Sequence, residues 1–233
     1  QDFIRIDSGD SRINLKLRSI EGTEINGRGP DISADAVRQL MEKLDATGSG
    51  DILVLAGSIP SSIPDDIYKK ILDRLSGRDI HTVVDATGDL LVNVLFHHPF
   101  LVKPNNHELG EIFGVKLRTR DGIVPYAEKL RKMGARNVLV SMAGEGAVLA
   151  AENGNVYTAP APEGTLVNGV GAGDSMVAGF LAGWMEKQDY LHAFRMGLSA
   201  GSASAFSEYL ASRPEIEAVY RQLVFLEDAE KQE

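Results

Sequence analysis

The chain has 233 residues, with 24 Lys or Arg against 33 Asp or Glu and a formal net charge of −9 at pH 7. Apolar residues make up 43% and charged residues 24%, the usage of a chain that buries a substantial core, which excludes a largely disordered polymer and a fibrous repeat. The acidic balance, with no Lys/Arg run longer than a pair such as Lys69-Lys70, argues against a binder of nucleic acid, and the absence of Cys excludes disulfides and thiolate metal sites.

In chain order, Phe3-Ile6, Ile13-Leu17 and Thr23-Ile25 alternate apolar and polar side chains between Gly-containing turns, which predicts an antiparallel meander with one wet face. Ser33 precedes Ala36, Val37, Leu40, Met41 and Leu44, an apolar stripe behind an N-cap hydroxyl. From Asp51 onward short β-rich runs at Ile52-Ala56, Thr82-Asp85, Phe100-Lys103 and Asn137-Ser141 alternate with helix-length segments, the pattern of βα units on a parallel sheet. Tyr126 to Met133 reads as a helix closed by Gly134. Ala147-Ala150 and Asn155-Tyr157, with Gly154 between them, predict a hairpin at a sheet edge, and a helical tail follows, ending in a packed helix from Glu215 with a frayed, charged finish. The apolar stretches are strand-sized, too short to span a bilayer, and the start at Gln1-Asp2-Phe3 shows neither an initiator Met nor a signal-peptide pattern, so the chain is expected to begin inside a longer protein.

The segment richest in chemistry is Asn168-Gly169-Val170-Gly171-Ala172-Gly173-Asp174-Ser175, which opens an apolar helix. Glycines let backbone approach a ligand closely, and the first N–H groups of a helix point at it with the positive end of the dipole, which makes such a turn an anion hole. A carboxylate at Asp174 gains from the same dipole, and taking a proton from an attacking hydroxyl is a reason to keep it beside phosphate. A tight packing turn with a capping Asp accounts for the same residues without any ligand. The spacing matches neither a Walker A loop nor the dinucleotide fingerprint.

A second group, Lys103-Pro104-Asn105-Asn106-His107-Glu108, follows the apolar run Phe100-Val102, at the strand end where ligands of α/β sheets gather. Asn105 and Glu108 share a face of a first helical turn, where they could hold the water shell of Mg²⁺ or, in the plainer reading, close a capping box. The pair His97-His98 lacks partners at ligand spacing, and Trp184 reads as core packing.

Together these segments resemble the ribokinase-like carbohydrate kinases of the phosphofructokinase B type. The resemblance is carried by Gly171-Ala172-Gly173-Asp174-Ser175, by Val102-Lys103-Pro104-Asn105 through Glu108, by Leu55-Ala56-Gly57-Ser58-Ile59-Pro60, and by Val140-Ser141 with Gly144-Glu145-Gly146-Ala147. It implies a three-layer αβα sandwich with a mainly parallel sheet and a small antiparallel β-lid, residues 1–28 being partial lid strands and residues 29–233 the kinase core. It also implies transfer of the ATP γ-phosphoryl group to a sugar phosphate. The tail Ala200 to Ser207 and Ser11-Arg12-Ile13-Asn14 are most similar to the branch acting on fructose 1-phosphate, with tagatose 6-phosphate and fructose 6-phosphate as alternatives.

By the same resemblance Asp174 is the base, and the N–H groups at Gly171, Ala172, Gly173 and Asp174 form the anion hole. Lys103 and Asn105 lie near the nucleotide phosphates, and Ser141, Gly144, Gly146 and Ser207 line the nucleotide's ribose and adenine. Arg12 and Ser58 hold the sugar's existing phosphate, and Glu108, Asn105 and Asp85 organise Mg²⁺. The family's N-terminal region, with its sugar-binding Asp and further lid strands, has no counterpart in this chain, which keeps a non-catalytic sugar-phosphate or nucleotide sensor in competition. The absence of Cys fits a cytoplasmic setting, the acidic balance and strand-sized apolar runs point away from nucleic-acid and membrane partners, and the resemblance implies a homodimer through the lid. Asn168-Gly169 departs from the Ser or Thr that many relatives carry before Val-Gly.

Overall fold

The computed structural model describes residues 2–16 and 24–230. The chain separates into two compact units, Gln1–His97 and His98–Glu233. The fold is α/β, with a mainly parallel six-stranded sheet and a small two-stranded antiparallel sheet.

In the first unit, β1 (Asn14–Lys16) and β2 (Glu24–Asn26) pair antiparallel with Leu15 opposite Ile25. The expected strand residues at Leu17 and Thr23 lie outside the described residues. Phe3-Ile6 forms no strand, a correction to the meander: a period-two pattern permits a strand, but a ladder needs a neighbouring strand to pair with; the residue before it, Asp2, pairs instead with Lys43 of α1 (Ala34–Leu44) at 2.5 Å. Helix α1 begins where the hydroxyl predicts, Ser33 Oγ accepting from the Ala36 N–H at 3.2 Å.

Strand β3 (Ile52–Ala56) lies parallel to β4 (His81–Asp85) in a register running from Ile52 opposite His81 to Ala56 opposite Asp85. Between them α2 (Ile67–Arg74) buries Ile67, Tyr68, Ile71 and Leu72, and Arg74 forks onto Asp45 at 2.8 and 2.5 Å. A short α3 (Gly88–Val92) follows.

In the second unit, β5 (Leu101–Val102) is shorter than expected because Pro104 has no N–H to donate, although the Pro104 carbonyl still accepts from the Ser141 N–H at 3.2 Å. It runs parallel to β6 (Asn137–Ser141), and β6, β7 (Ala147–Ala150) and β8 (Val156–Ala159) form an antiparallel run with the expected hairpin at Gly154, φ +86°. The buried Asn137 stitches strand ends together, donating to the Phe100 carbonyl at 2.8 Å and accepting from the Glu152 N–H at 2.9 Å. Helix α4 (Asn106–Phe113) precedes α5 (Arg120–Lys132), which starts six residues before the expected Tyr126. Pro125 lies early in α5, and Thr119 caps that helix by accepting from the Gly122 N–H.

Helices α6 (Ala172–Lys187) and α7 (Tyr190–Phe206) pack closely because their contact face lacks side chains: a Cβ on Gly179 would stand 2.6 Å from both Ala200 Cβ and the Met196 carbonyl oxygen. Trp184 stacks on Tyr190 with centroids 4.5 Å apart and meets Phe100 at 5.4 Å, so it packs the core as expected. Helix α8 (Arg213–Glu230) is the helix expected from Glu215, and the last residues of its expected frayed finish, 231–233, lie outside the described residues.

Candidate functional site

The glycine turn ends on Gly171, whose φ of +78° places it in the left-handed region that favours glycine. Helix α6 then starts at Ala172, without a side-chain cap on its first turn. The Ala172 N–H donates to the Gly169 carbonyl at 3.3 Å, and the helical ladder begins with Ser175 donating to Gly171 at 2.8 Å. Gly173 and Asp174 therefore carry the N–H groups that precede the ladder, and Asp174 is exposed in that first turn.

Against this turn lies Lys103, a residue only 6% exposed. Its Nζ sits 3.3 Å from where a Cβ on Gly173 would stand, so the missing side chain lets the ammonium reach the helix N-terminus. An ammonium and the positive end of a helix dipole repel each other, and their convergence suits an anion placed between them.

Lys103 is brought there by the end of β5. The backbone continues through Pro104 to Asn105, which bridges in parallel to Ser141 at the end of β6, so Lys103, Asn105 and Ser141 share one strand-end neighbourhood. Asn105 and Glu108 make the full capping box of α4: Asn105 Oδ1 accepts from the N–H groups of His107 (2.8 Å) and Glu108 (2.9 Å), and Glu108 Oε2 accepts from the Asn105 N–H (2.7 Å). Two accepted bonds use both lone pairs of Oδ1, which leaves Asn105 a donor, Nδ2, for any ligand. A donor suits a phosphate oxygen and not a cation. Glu108 keeps its second carboxylate oxygen.

The nucleotide-side candidates are held by ordinary turn chemistry. After β6 a 3₁₀ turn (Ala143–Glu145) leads to Gly146 at φ +96°, ψ −134°, where a Cβ would stand 2.0 Å from the Ala159 carbonyl oxygen; Gly144 faces open space. Arg120 secures the turn by donating to the Glu145 carbonyl at 2.7 Å. The Ser207 hydroxyl donates to the Ala203 carbonyl at 2.9 Å as α7 ends.

In the first unit, Arg12 and Ser58 come together, the guanidinium Nη1 donating to Ser58 Oγ while Nε donates to Asn14 Oδ1 at 2.9 Å. The turn at Gly57 (φ +87°) is fastened by its N–H to the Asp85 carbonyl and by the Tyr68 hydroxyl to the Gly57 carbonyl at 3.1 Å. Burial, and then the charge of Asp85, push the Tyr68 phenol above its ordinary value. Among the described residues no three His, Cys, Asp or Glu gather as a metal cage.

A participant not singled out as a site residue is Asn168. Its Oδ1 accepts from the Val170 N–H at 3.1 Å and its Nδ2 donates to the Glu208 carbonyl at 3.0 Å, tying the glycine turn to the segment after α7. The 40-residue separation of Asn168 and Glu208 leaves no local pattern to read.

A model of the pfkB family carbohydrate kinases matches residues 1–216. The chain belongs to that family, whose members use ATP. It is 50% identical over 204 residues to a 1-phosphofructokinase of Bacillus subtilis, covering 88% of this chain and 67% of the relative. It is 30% identical over 223 residues to a D-tagatose-1-phosphate kinase of Bacillus licheniformis, covering 95% of this chain and 73% of that one. Among solved structures, phosphofructokinase-2 from Escherichia coli in complex with fructose-6-phosphate superposes with a TM-score of 0.80 at 27% identity, over 91% of this chain and 70% of that chain. The same enzyme is known in a tetrameric inhibited form.

Proposed function

We propose that the chain transfers the γ-phosphoryl group of ATP to the C6 hydroxyl of fructose 1-phosphate, giving fructose 1,6-bisphosphate and ADP. The observation that carries this is the convergence of buried Lys103 on the first turn of α6, where Asp174 stands, in a chain 50% identical to a 1-phosphofructokinase. Asp174 takes the proton of the C6 hydroxyl as that oxygen forms its bond to the γ-phosphorus and the bond to the ADP oxygen breaks. The Gly173 and Asp174 N–H groups and the Lys103 ammonium receive the charge on the transferring group, since positioning and electrostatics supply most of phosphoryl-transfer catalysis. Ser141, Gly144, Gly146 and Ser207 shape the nucleotide side, with Asn105 Nδ2 as a donor to phosphate. Glu108 would hold the water shell of a Mg²⁺ carried by the nucleotide, an ion that would supply neutralisation of phosphate charge, and Asp85 is a further carboxylate that could serve it.

Arg12 and Ser58 form the seat of the sugar's own phosphate, a role that the planar guanidinium fork suits. Arg12→Gln is expected to raise the KM for fructose 1-phosphate by about 10- to 100-fold, because a hydrogen bond to a charged group is worth about 1.5–3 kcal/mol, and to leave the KM for ATP within about twofold. Equal rises in both constants, or none, would remove the phosphate-seat assignment. The D-tagatose-1-phosphate kinase relative supports a second reading with the same chemistry, a tagatose phosphate in place of fructose 1-phosphate.

Within residues 1–28 the β1–β2 pair serves as the lid element of the kinase. Ile13, Leu15 and Ile25 expose one apolar face of the β1–β2 pair, which supports closure by a second copy of the chain. No helix among the described residues is long and apolar enough to cross a membrane. The substrates place the reaction in the cytoplasm, where ATP and sugar phosphates are made.

A further inference from the structure

Helix α6 has no side chain capping its first turn, so the conformation of its N–H groups must be set by the loop before it and by whatever grips that loop. The grip comes from one segment, residues 205–211. The Val167 and Asn168 N–H groups both donate to the Ala205 carbonyl, at 2.9 and 3.0 Å. The Asn168 side chain then spans the gap with both ends, accepting from Val170 N–H and donating to the Glu208 carbonyl. Leu210 covers the turn, its Cδ2 lying 2.7 Å from where a Cβ on Gly171 would stand. Beyond it the Ala211 N–H donates to Ser204 Oγ (3.1 Å), and Ser204 Oγ donates to Ser175 Oγ (2.9 Å), which ties the far end of the segment to the first turn of α6.

We infer that Asn168 is a positioning residue for phosphoryl transfer, and that it works by clamping the glycine turn to the 205–211 strap so that the Gly173 and Asp174 N–H groups stay aimed at one point. The inference rests on reading that turn as the anion hole. The residue type follows from the contacts. One end must accept from an N–H and the other must donate to a carbonyl, which an amide does and a carboxylate or an aliphatic side chain cannot. A hydroxyl at this position reaches only the nearer partner, Val170, as in a Ser/Thr turn. The strap also leads back to Ser207, so nucleotide-side residues and the anion hole are parts of one bonded segment.

The test compares Asn168→Ala, Asn168→Asp and Asn168→Ser in the purified enzyme with MgATP and fructose 1-phosphate, alongside thermal unfolding and amide hydrogen exchange of residues 166–176 without ligand. Displacing reacting groups by about 1 Å costs on the order of 100-fold, so Asn168→Ala and Asn168→Asp are expected to lower kcat by about 10- to 100-fold while both KM values move less than about threefold. Asn168→Ser is expected between them and the parent, and serves should the others fail to fold. Exchange of the hydrogen-bonded Val167 and Ala172 N–H groups should quicken on the order of tenfold in Asn168→Ala. A lowered melting temperature with unchanged kcat in the folded enzyme, or unchanged exchange, would overturn the inference. Failure of the anion-hole reading is distinguished by Lys103→Gln, which removes the ammonium that converges on the same turn and whose undiminished turnover would remove that reading whatever Asn168 does.

Discussion

Asp174→Asn is expected to cut turnover by about 10²–10⁴-fold, the contribution of a positioned general base. The substitution is nearly isosteric at an exposed position in the first turn of α6, so stability is expected to stay within about 0.5 kcal/mol. Asn cannot take the C6 proton, yet it leaves Lys103 and the Gly173 N–H in place. ATP affinity should therefore hold or improve slightly, since a negative charge beside the phosphates is gone. Steady-state rates together with calorimetric titration of MgATP separate these effects. Lost turnover with lost nucleotide binding would instead make Asp174 a structural cap.

The largest stability effect is expected at Gly146. An alanine there would press its Cβ to 2.0 Å from the Ala159 carbonyl oxygen and force a backbone at φ +96°, ψ −134° that is essentially reserved for glycine. Backbone strain and overpacking each cost about 1–3 kcal/mol, so Gly146→Ala should destabilise by about 2–6 kcal/mol, with the β7–β8 hairpin the first region to open. Gly144, two residues earlier, is the control: a Cβ there meets nothing within 4 Å, and Gly144→Ala should stay within about 0.5 kcal/mol. Urea unfolding of the two variants reads the difference. Equal midpoints would mean that the turn relaxes freely and that Gly146 is not required by packing.

These two glycines show where sequence reading stops. Both fall in the same family-like stretch, and nothing local separates the one wedged against a neighbouring strand from the one facing open space. Elements set by short-range rules were legible: the Ser33 hydroxyl placed the start of α1, and the periods of Ile52-Ala56 and Asn137-Ser141 gave strands with those same bounds. Phe3-Ile6 failed because alternation states a capacity for pairing and says nothing about a partner. The start of α5 was missed because Pro125 reads as a break, whereas Thr119 and the turn before it carry the helix past it. At Asn105 and Glu108 the cap and the water-shell readings draw on the same side chains, and the structure shows the cap in full, with Asn105 Nδ2 outside it. Asn168 binds across 40 residues, a distance at which only the folded chain carries information.

The central claim is phosphoryl transfer to a ketose 1-phosphate, and the most direct measurement is ADP formation with MgATP against fructose 1-phosphate, tagatose 1-phosphate, fructose 6-phosphate and unphosphorylated fructose, with the product followed by phosphorus NMR. One ADP is expected for each fructose 1,6-bisphosphate formed, with a kcat/KM for fructose 1-phosphate above those for the other sugars. Tight sugar-phosphate binding without any sugar-dependent ADP would contradict it and leave a sensor built on a kinase fold.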